Sequence, residues 1–277
     1  YNVERLYGIG ASLDVAGSRF SAALVLLAFF LLSMEQTRFR NWMFFYLLAF
    51  VFIAVVGNMI ARTTTVGLLL AIAYLLYKSG IWRLQLSAES RKLWLYLGGV
   101  LLLTIPLCVY LYQQDAIFRS NLRFAFEGFF SLIEKGEWQV SSNEKLKTMY
   151  VFPDNLKTWV MGDGYFSNPY RIDPYFTGDY IVGYYMGTDA GYLRFIFYSG
   201  LIGLAAITAV VWKACLICRH RFEAQKELFG LFLLVNLLVW FKVSTDIFLI
   251  FALFMMVNQD ENDAYNRKIT LANENTL

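Results

Sequence analysis

Residues 42–77 read WMFFYLLAFVFIAVVGNMIARTTTVGLLLAIAYLLY. Two apolar runs are separated by a short polar corner, Asn58 to Thr65, which holds a single arginine, Arg62. The runs are on the scale of the ~20 apolar residues a helix needs to cross a hydrocarbon core about 30 Å thick. A bilayer offers the backbone no hydrogen-bond partners, so spans of this kind must be helices. The stretch predicts two transmembrane helices that meet with almost no loop between them.

The rest of the chain repeats the pattern. Of 277 residues, 58% are apolar and 16% are charged, and mean hydropathy is +0.49. Soluble domains carry about 25% charged residues, so one soluble core is excluded. Further apolar segments lie at 18–34, 93–112 and 191–212. The last, 228–257, is too long for one ordinary span and holds Lys242, Ser244, Thr245 and Asp246 near its middle. A charge at the bilayer centre costs about 2.5–3.5 kcal/mol on insertion scales. The favoured reading is two short helices meeting at a polar turn; one long tilted helix with an internal Lys–Asp pair is the alternative. The expected fold is an all-α polytopic bundle of about seven transmembrane helices with one large, partly helical extracytoplasmic loop.

Lysines and arginines cluster at 38–40, 78–92 and 213–226, and by the positive-inside rule these loops are cytoplasmic. Residues 1–17, the Arg62 corner, the loop and the turn at 242–246 then face outward. The expected organisation is helices 1–4 with an outward N-terminal segment in 1–112, the extracytoplasmic loop in 113–190, helices 5–7 in 191–257, and a cytoplasmic tail in 258–277. The chain begins at Tyr1 without a signal peptide, and is read as lacking preceding helices. The loop is far too long for a bare connector. Within it, Leu122, Phe126, Phe129, Phe130 and Ile133 share a face of an amphipathic helix over 121–135. That face suits either the membrane surface or a small core of the loop. Ser141-x-x-Glu144 reads as a capping box, and Pro153–Asp154 opens a further helix ending at Gly162. The net charge of +3 and the lack of a long basic run exclude nucleic acid as a partner. The cysteines, Cys108, Cys215 and Cys218, lie in or beside apolar runs, so no disulfide is expected, and a lone CxxC beside His220 makes a poor metal site.

The unusual polar residues gather on the outward side. Arg62 is either a snorkelling anchor or an anion ligand, helped by free N–H groups at the start of the third helix. Asp189 is expected at a helix N-cap, a position that needs no catalytic role. Arg194 lies one turn further on, amid Tyr192, Phe195 and Tyr198, which equally suit an aromatic belt. Together with Arg171, Asp179 and the many tyrosines, Asp189 and Arg194 could line a cleft for sugars and diphosphate.

In chain order, Arg5-Leu6-Tyr7-Gly8, Ala61-Arg62-Thr63, Gly162-Asp163-Gly164, Asp189-Ala190-Gly191-Tyr192-Leu193-Arg194 and Gly200-Leu201-Ile202-Gly203 resemble motifs of the O-antigen polymerase and ligase family of polytopic membrane proteins. The resemblance implies a membrane glycosyltransferase that polymerises polyprenyl-diphosphate-linked oligosaccharide repeat units, for O-antigen or capsule, at the outer face of the bacterial cytoplasmic membrane. It implies Asp189 and Arg62 as catalytic residues and Arg194, Arg171, Arg5, Asp163 and Tyr192 as substrate-binding residues. It implies no cofactor and no metal. The implied partners are lipid-linked donor and acceptor, membrane lipid and a chain-length regulator protein. Ligases of the family place a histidine where this chain has Asp189, and His220 is expected on the cytoplasmic side, which favours polymerase over ligase. A precursor flippase is the reading from another class; it calls for ionisable groups along a mid-membrane path, and the first five spans hold essentially none.

Overall fold

The computed structural model describes residues 13–33, 42–80, 88–169 and 183–257, and among these the chain is helical apart from its connections. The helices are α1 (Leu13–Ser33), α2 (Met43–Ile60), α3 (Thr64–Lys78), α4 (Ala88–Gln114), α5 (Ala116–Ala125), α6 (Glu127–Lys135), α7 (Ser141–Thr148), α8 (Leu156–Met161), α9 (Gly191–Arg221), α10 (Lys226–Val239) and α11 (Phe248–Met255). Four of them, α1, α2, α4 and α9, are long and apolar enough to cross a bilayer. The protein is thus an all-helical membrane bundle by length and composition. α3, α10 and α11 are apolar but shorter, at 15, 14 and 8 residues.

Small residues set the closest crossing. α1 presents Gly17, Ser18, Ser21 and Ala22 as buried positions, and α3 presents Gly67 and Ala71. A side chain at Gly67 would overlap the backbone of Ser21. Lipid tails are as apolar as leucine, so helices in a membrane associate by close packing and polar stitches rather than by hydrophobic burial. Here Ser21 supplies the stitch: its hydroxyl donates to the Thr63 carbonyl at 3.0 Å and accepts from the Gly67 N–H at 3.2 Å. Around this pair, Leu24, Val25, Leu47, Phe229, Trp240 and Phe251 are buried in one continuous core.

The helix ends sort into two groups. At one end the α2–α3 corner, the start of α1, the start of α9 and the turn after α10 meet. Thr63 donates to Asp14 at 3.0 Å, Ser18 and Thr245 share a hydrogen bond of 2.6 Å, and the Tyr192 N–H donates to the Trp240 carbonyl at 3.0 Å. At the other end, Lys78 pairs with Glu227 at 2.7 Å and Arg221 donates to the Met255 carbonyl at 2.6 Å. Lys78 at the end of α3 and Arg221 at the end of α9 therefore share one end, and Arg62 and Asp189 share the other.

Residues 228–257 form two short helices. The Asn236 side chain accepts from the Ile247 N–H, the Trp240 indole donates to the Thr245 carbonyl, and the Asp246 carboxylate accepts from the Phe248 N–H at the start of α11. A continuous tilted helix is thereby excluded.

The segment after α4 departs from expectation in detail. The amphipathic helix starts earlier, with Asp115 accepting from the N–H groups of Ile117 and Phe118, and breaks at Phe126 into α5 and α6. Its apolar face packs back onto α2 and α4, while Ile133 points away and is 83% exposed. The capping box at Ser141 does not form. Both the Ser141 N–H and its hydroxyl go to Glu127, and Glu144 pairs with Lys147. The Glu127 carboxylate, fixed by Arg62, outcompetes the local partner. α8 is capped by Asn155, through the Thr158 N–H at 2.8 Å, and not by Asp154.

Candidate functional site

The geometry at Asp189 starts with a break in α9. Gly200 has φ 66° and ψ −174°, a region closed to residues with a Cβ. The break frees carbonyls that an unbroken helix would have used. The Asp163 N–H donates to the Phe197 carbonyl at 2.6 Å and the Gly164 N–H to the Tyr198 carbonyl at 3.0 Å. Gly162 permits the approach, since a Cβ there would lie 2.6 Å from the Ser199 nitrogen. The Gly162-Asp163-Gly164 motif is thus a clasp on the kink. Residues 201–221 alone reach about 30 Å at ~1.5 Å per residue, which leaves Gly191–Ser199 as a separate segment at the bundle end. Asp163 accepts from Thr158 at 2.7 Å and from Tyr185 at 3.4 Å, so its carboxylate holds the clasp together.

Asp189 lies before the helix and does not cap it. Ala190 is the N-cap and no side chain bonds the first turn. The helix is instead held by its neighbours: Gly191 fits against the backbone of Trp240 and Val243 with no room for a Cβ. The Asp189 carboxylate is 3.8 Å from the Arg194 guanidinium. Burial and the nearby Asp14 carboxylate push its pKa up to about 6, against the pull of Arg194, Lys242 and a hydrogen bond from Tyr184. Tyr184 is raised in turn by its burial and then by Asp189.

Arg194 is a fixed cation. Its side chain is 10% exposed, lies 4.0 Å over each of the Phe166 and Tyr184 rings, and donates to the Ser244 hydroxyl at 2.8 Å and the Phe166 carbonyl at 3.3 Å. Its Nε is buried with no hydrogen-bond partner among the described residues. A guanidinium so held presents charge without rotamer freedom. A carboxylate of raised pKa beside a fixed cation can accept a proton from a hydroxyl while the cation steadies a neighbouring anion.

Arg62 does not join this cluster. Its side chain is 9% exposed and pairs with Glu127 at 2.6 Å. It also donates to the Phe124 carbonyl and the Ser142 hydroxyl, each at 2.9 Å, and lies 4.1 Å over the Phe124 ring. Nor does the start of α3 hold free N–H groups for phosphate. Thr64, Thr65 and Val66 donate to Ala61, Arg62 and Thr63, and Gly67 donates to Ser21. The link between the two arginines is indirect: Thr63, next to Arg62, holds Asp14, which in turn faces Asp189. Tyr192 points into the bundle, with its hydroxyl on the Leu237 carbonyl at 2.9 Å and its ring edge-on to Trp240 and Phe241. Arg5 and Arg171, together with Asp179, lie outside the described residues.

Sequence reasoning missed Asp14, Tyr184, Lys242 and Ser244 as members of the site, and Glu127 as the partner of Arg62. Asp14 carried a usable signal, a carboxylate one turn before an apolar run. Among the described residues no group of His, Cys, Asp or Glu is arranged to hold a metal ion. His220 stands at the far end of α9, away from Asp189. No family model, no curated protein and no solved structure matches this chain.

Proposed function

We propose that the protein is a membrane glycosyltransferase that polymerises polyprenyl-diphosphate-linked oligosaccharide repeat units at the outer face of a bacterial cytoplasmic membrane. The observation that carries this reading is the pairing of Asp189 with Arg194 at the bundle end, walled by Tyr184 and Phe166. The acceptor hydroxyl attacks the anomeric carbon of the donor sugar. Its proton passes to the Asp189 carboxylate as the new C–O bond forms. The bond from the anomeric carbon to the polyprenyl diphosphate breaks, and the diphosphate leaves with the electron pair. Arg194 stabilises that developing charge. Aromatic faces at Tyr184 and the exposed Tyr198 suit the C–H faces of sugar rings. Arg62, engaged by Glu127, acts in this reading as a positioning residue that holds α5–α7 over the bundle.

The test is complementation of a deletion strain with Asp189→Asn and with Arg194→Lys, reading polymer length on a gel. Both variants are expected to stop at single repeat units while the protein stays in the membrane. Polymer of normal length from Asp189→Asn would overturn the reading. Finished polymer accumulating on the carrier, in place of single units, would mark a ligase instead.

A further inference from the structure

Away from Asp189, α4 carries an apolar stripe at helical spacing: Leu101, Thr104, Ile105, Cys108 and Tyr112. With Val51 and Val55 of α2 and the underside of α5–α6 it walls a groove of about 460 Å³. The stripe covers 12 residues of helix, about 18 Å at ~1.5 Å per residue. That is roughly half of a hydrocarbon core ~30 Å thick, the depth of one leaflet. The groove offers no open polar group: the Thr104 hydroxyl is spent on the Val100 carbonyl at 2.8 Å. Its closed end is the Tyr112–Phe130 stack, with ring centroids 6.0 Å apart and nearly parallel.

Two arginines flank that stack. Arg119 donates to the carbonyls of Tyr112 and Gln113 at 2.7 and 2.8 Å and lies 5.5 Å over the Tyr112 ring. Arg123 donates to the Tyr112 hydroxyl at 3.1 Å, sits 4.9 Å over the Phe130 ring and pairs with Glu134. Arg119 is exposed and has no carboxylate partner among the described residues. Apolar walls one leaflet deep, ending under a cationic rim, match an acyl chain joined to an anionic headgroup.

We infer that this groove is a binding site for one anionic glycerophospholipid, with an acyl chain along α4 and its phosphate at Arg119 and Arg123. A polyprenyl chain is longer than the groove, and the groove's helix α4 packs on α2 and α5, whereas Asp189 immediately precedes α9 and Arg194 lies in its first turn. The site is therefore separate from the glycan-transfer centre and stands without it.

Native mass spectrometry of the full chain, released from detergent with phosphatidylglycerol or with phosphatidylcholine of the same acyl chains, tests the site. Phosphatidylglycerol is expected to be retained about tenfold over phosphatidylcholine. Arg119→Gln should lower its retention roughly fivefold. Leu101→Trp, which fills the groove, should release the phospholipid with the rim intact. Equal retention of the two lipids would overturn the proposal, as would full retention by Leu101→Trp. So would displacement of phosphatidylglycerol by a polyprenyl diphosphate, or by inorganic phosphate alone.

Discussion

Asp189 and Arg194 differ from the other polar residues of the bundle in what they leave uncommitted. Asp163 spends its carboxylate on the hydroxyls of Thr158 and Tyr185, and Ser21 spends its hydroxyl on backbone, whereas Asp189 keeps a carboxyl held near pKa 6 beside a cation. If it takes the proton of the acceptor hydroxyl, only its ionised form is competent. The rate of polymerisation should then fall as pH drops through about 6 and level off above it. An assay on purified protein with lipid-linked repeat units would measure this, and a profile flat from pH 5 to 8 would exclude Asp189 as the base. Arg62 predicts a different outcome. Truncating one partner of a largely buried, hydrogen-bonded charge pair costs more than the pair itself contributes. Arg62→Ala should therefore destabilise the fold by about 2–3 kcal/mol, measured by unfolding in detergent. A glutamine at 127 in the same background should recover part of that loss, because the stranded carboxylate is then gone. Loss of polymer in Arg62→Ala with unchanged stability would return Arg62 to the chemical site.

At the scale of elements, the kink in α9 is the feature on which the site depends. An unbroken helix over 191–221 would be about 45 Å long, more than a bilayer core needs. The break at Gly200 turns its first nine residues into a separate piece, and the chain after α8 bonds the freed carbonyls. Gly200→Ala meets two penalties: a backbone region that costs about 1–3 kcal/mol for residues with a Cβ, and overlap with the Val160 carbonyl. A loss of more than about 2 kcal/mol in unfolding free energy is expected, together with loss of polymer. Ala at Gly98, where a Cβ meets nothing within 4 Å, is the control and should be neutral or slightly stabilising, because it lies inside α4.

For the whole molecule, the test concerns sides. The α5–α7 segment and the α10–α11 turn both belong to the bundle end that holds Arg62 and Asp189, and Lys78 belongs to the other. With Cys108, Cys215 and Cys218 replaced, single cysteines at Lys145 and Asp246 should react with an impermeant thiol reagent from the same side of the membrane, and one at Lys78 from the opposite side. The glycan-transfer reading needs Lys145 and Asp246 on the outer side. Labelling of Lys78 from outside would remove it.

The class of fold was legible before any coordinates, for a plain reason. Spans must satisfy their own backbone and carry apolar side chains for their whole length, so 42–77 and the interrupted run at 228–257 announce their helices locally. What stayed hidden depends on partners distant along the chain. Nothing near Asp189 reveals that Gly191 is seated against Trp240 and Val243, which removes Asp189 from the cap and leaves it facing Asp14 and Arg194. Nothing near Arg62 reveals that Glu127, 65 positions on, holds its guanidinium. Hydropathy is a property of single segments and reads along the chain; the pairing of charges is a property of packed segments, and only the tertiary structure decides it.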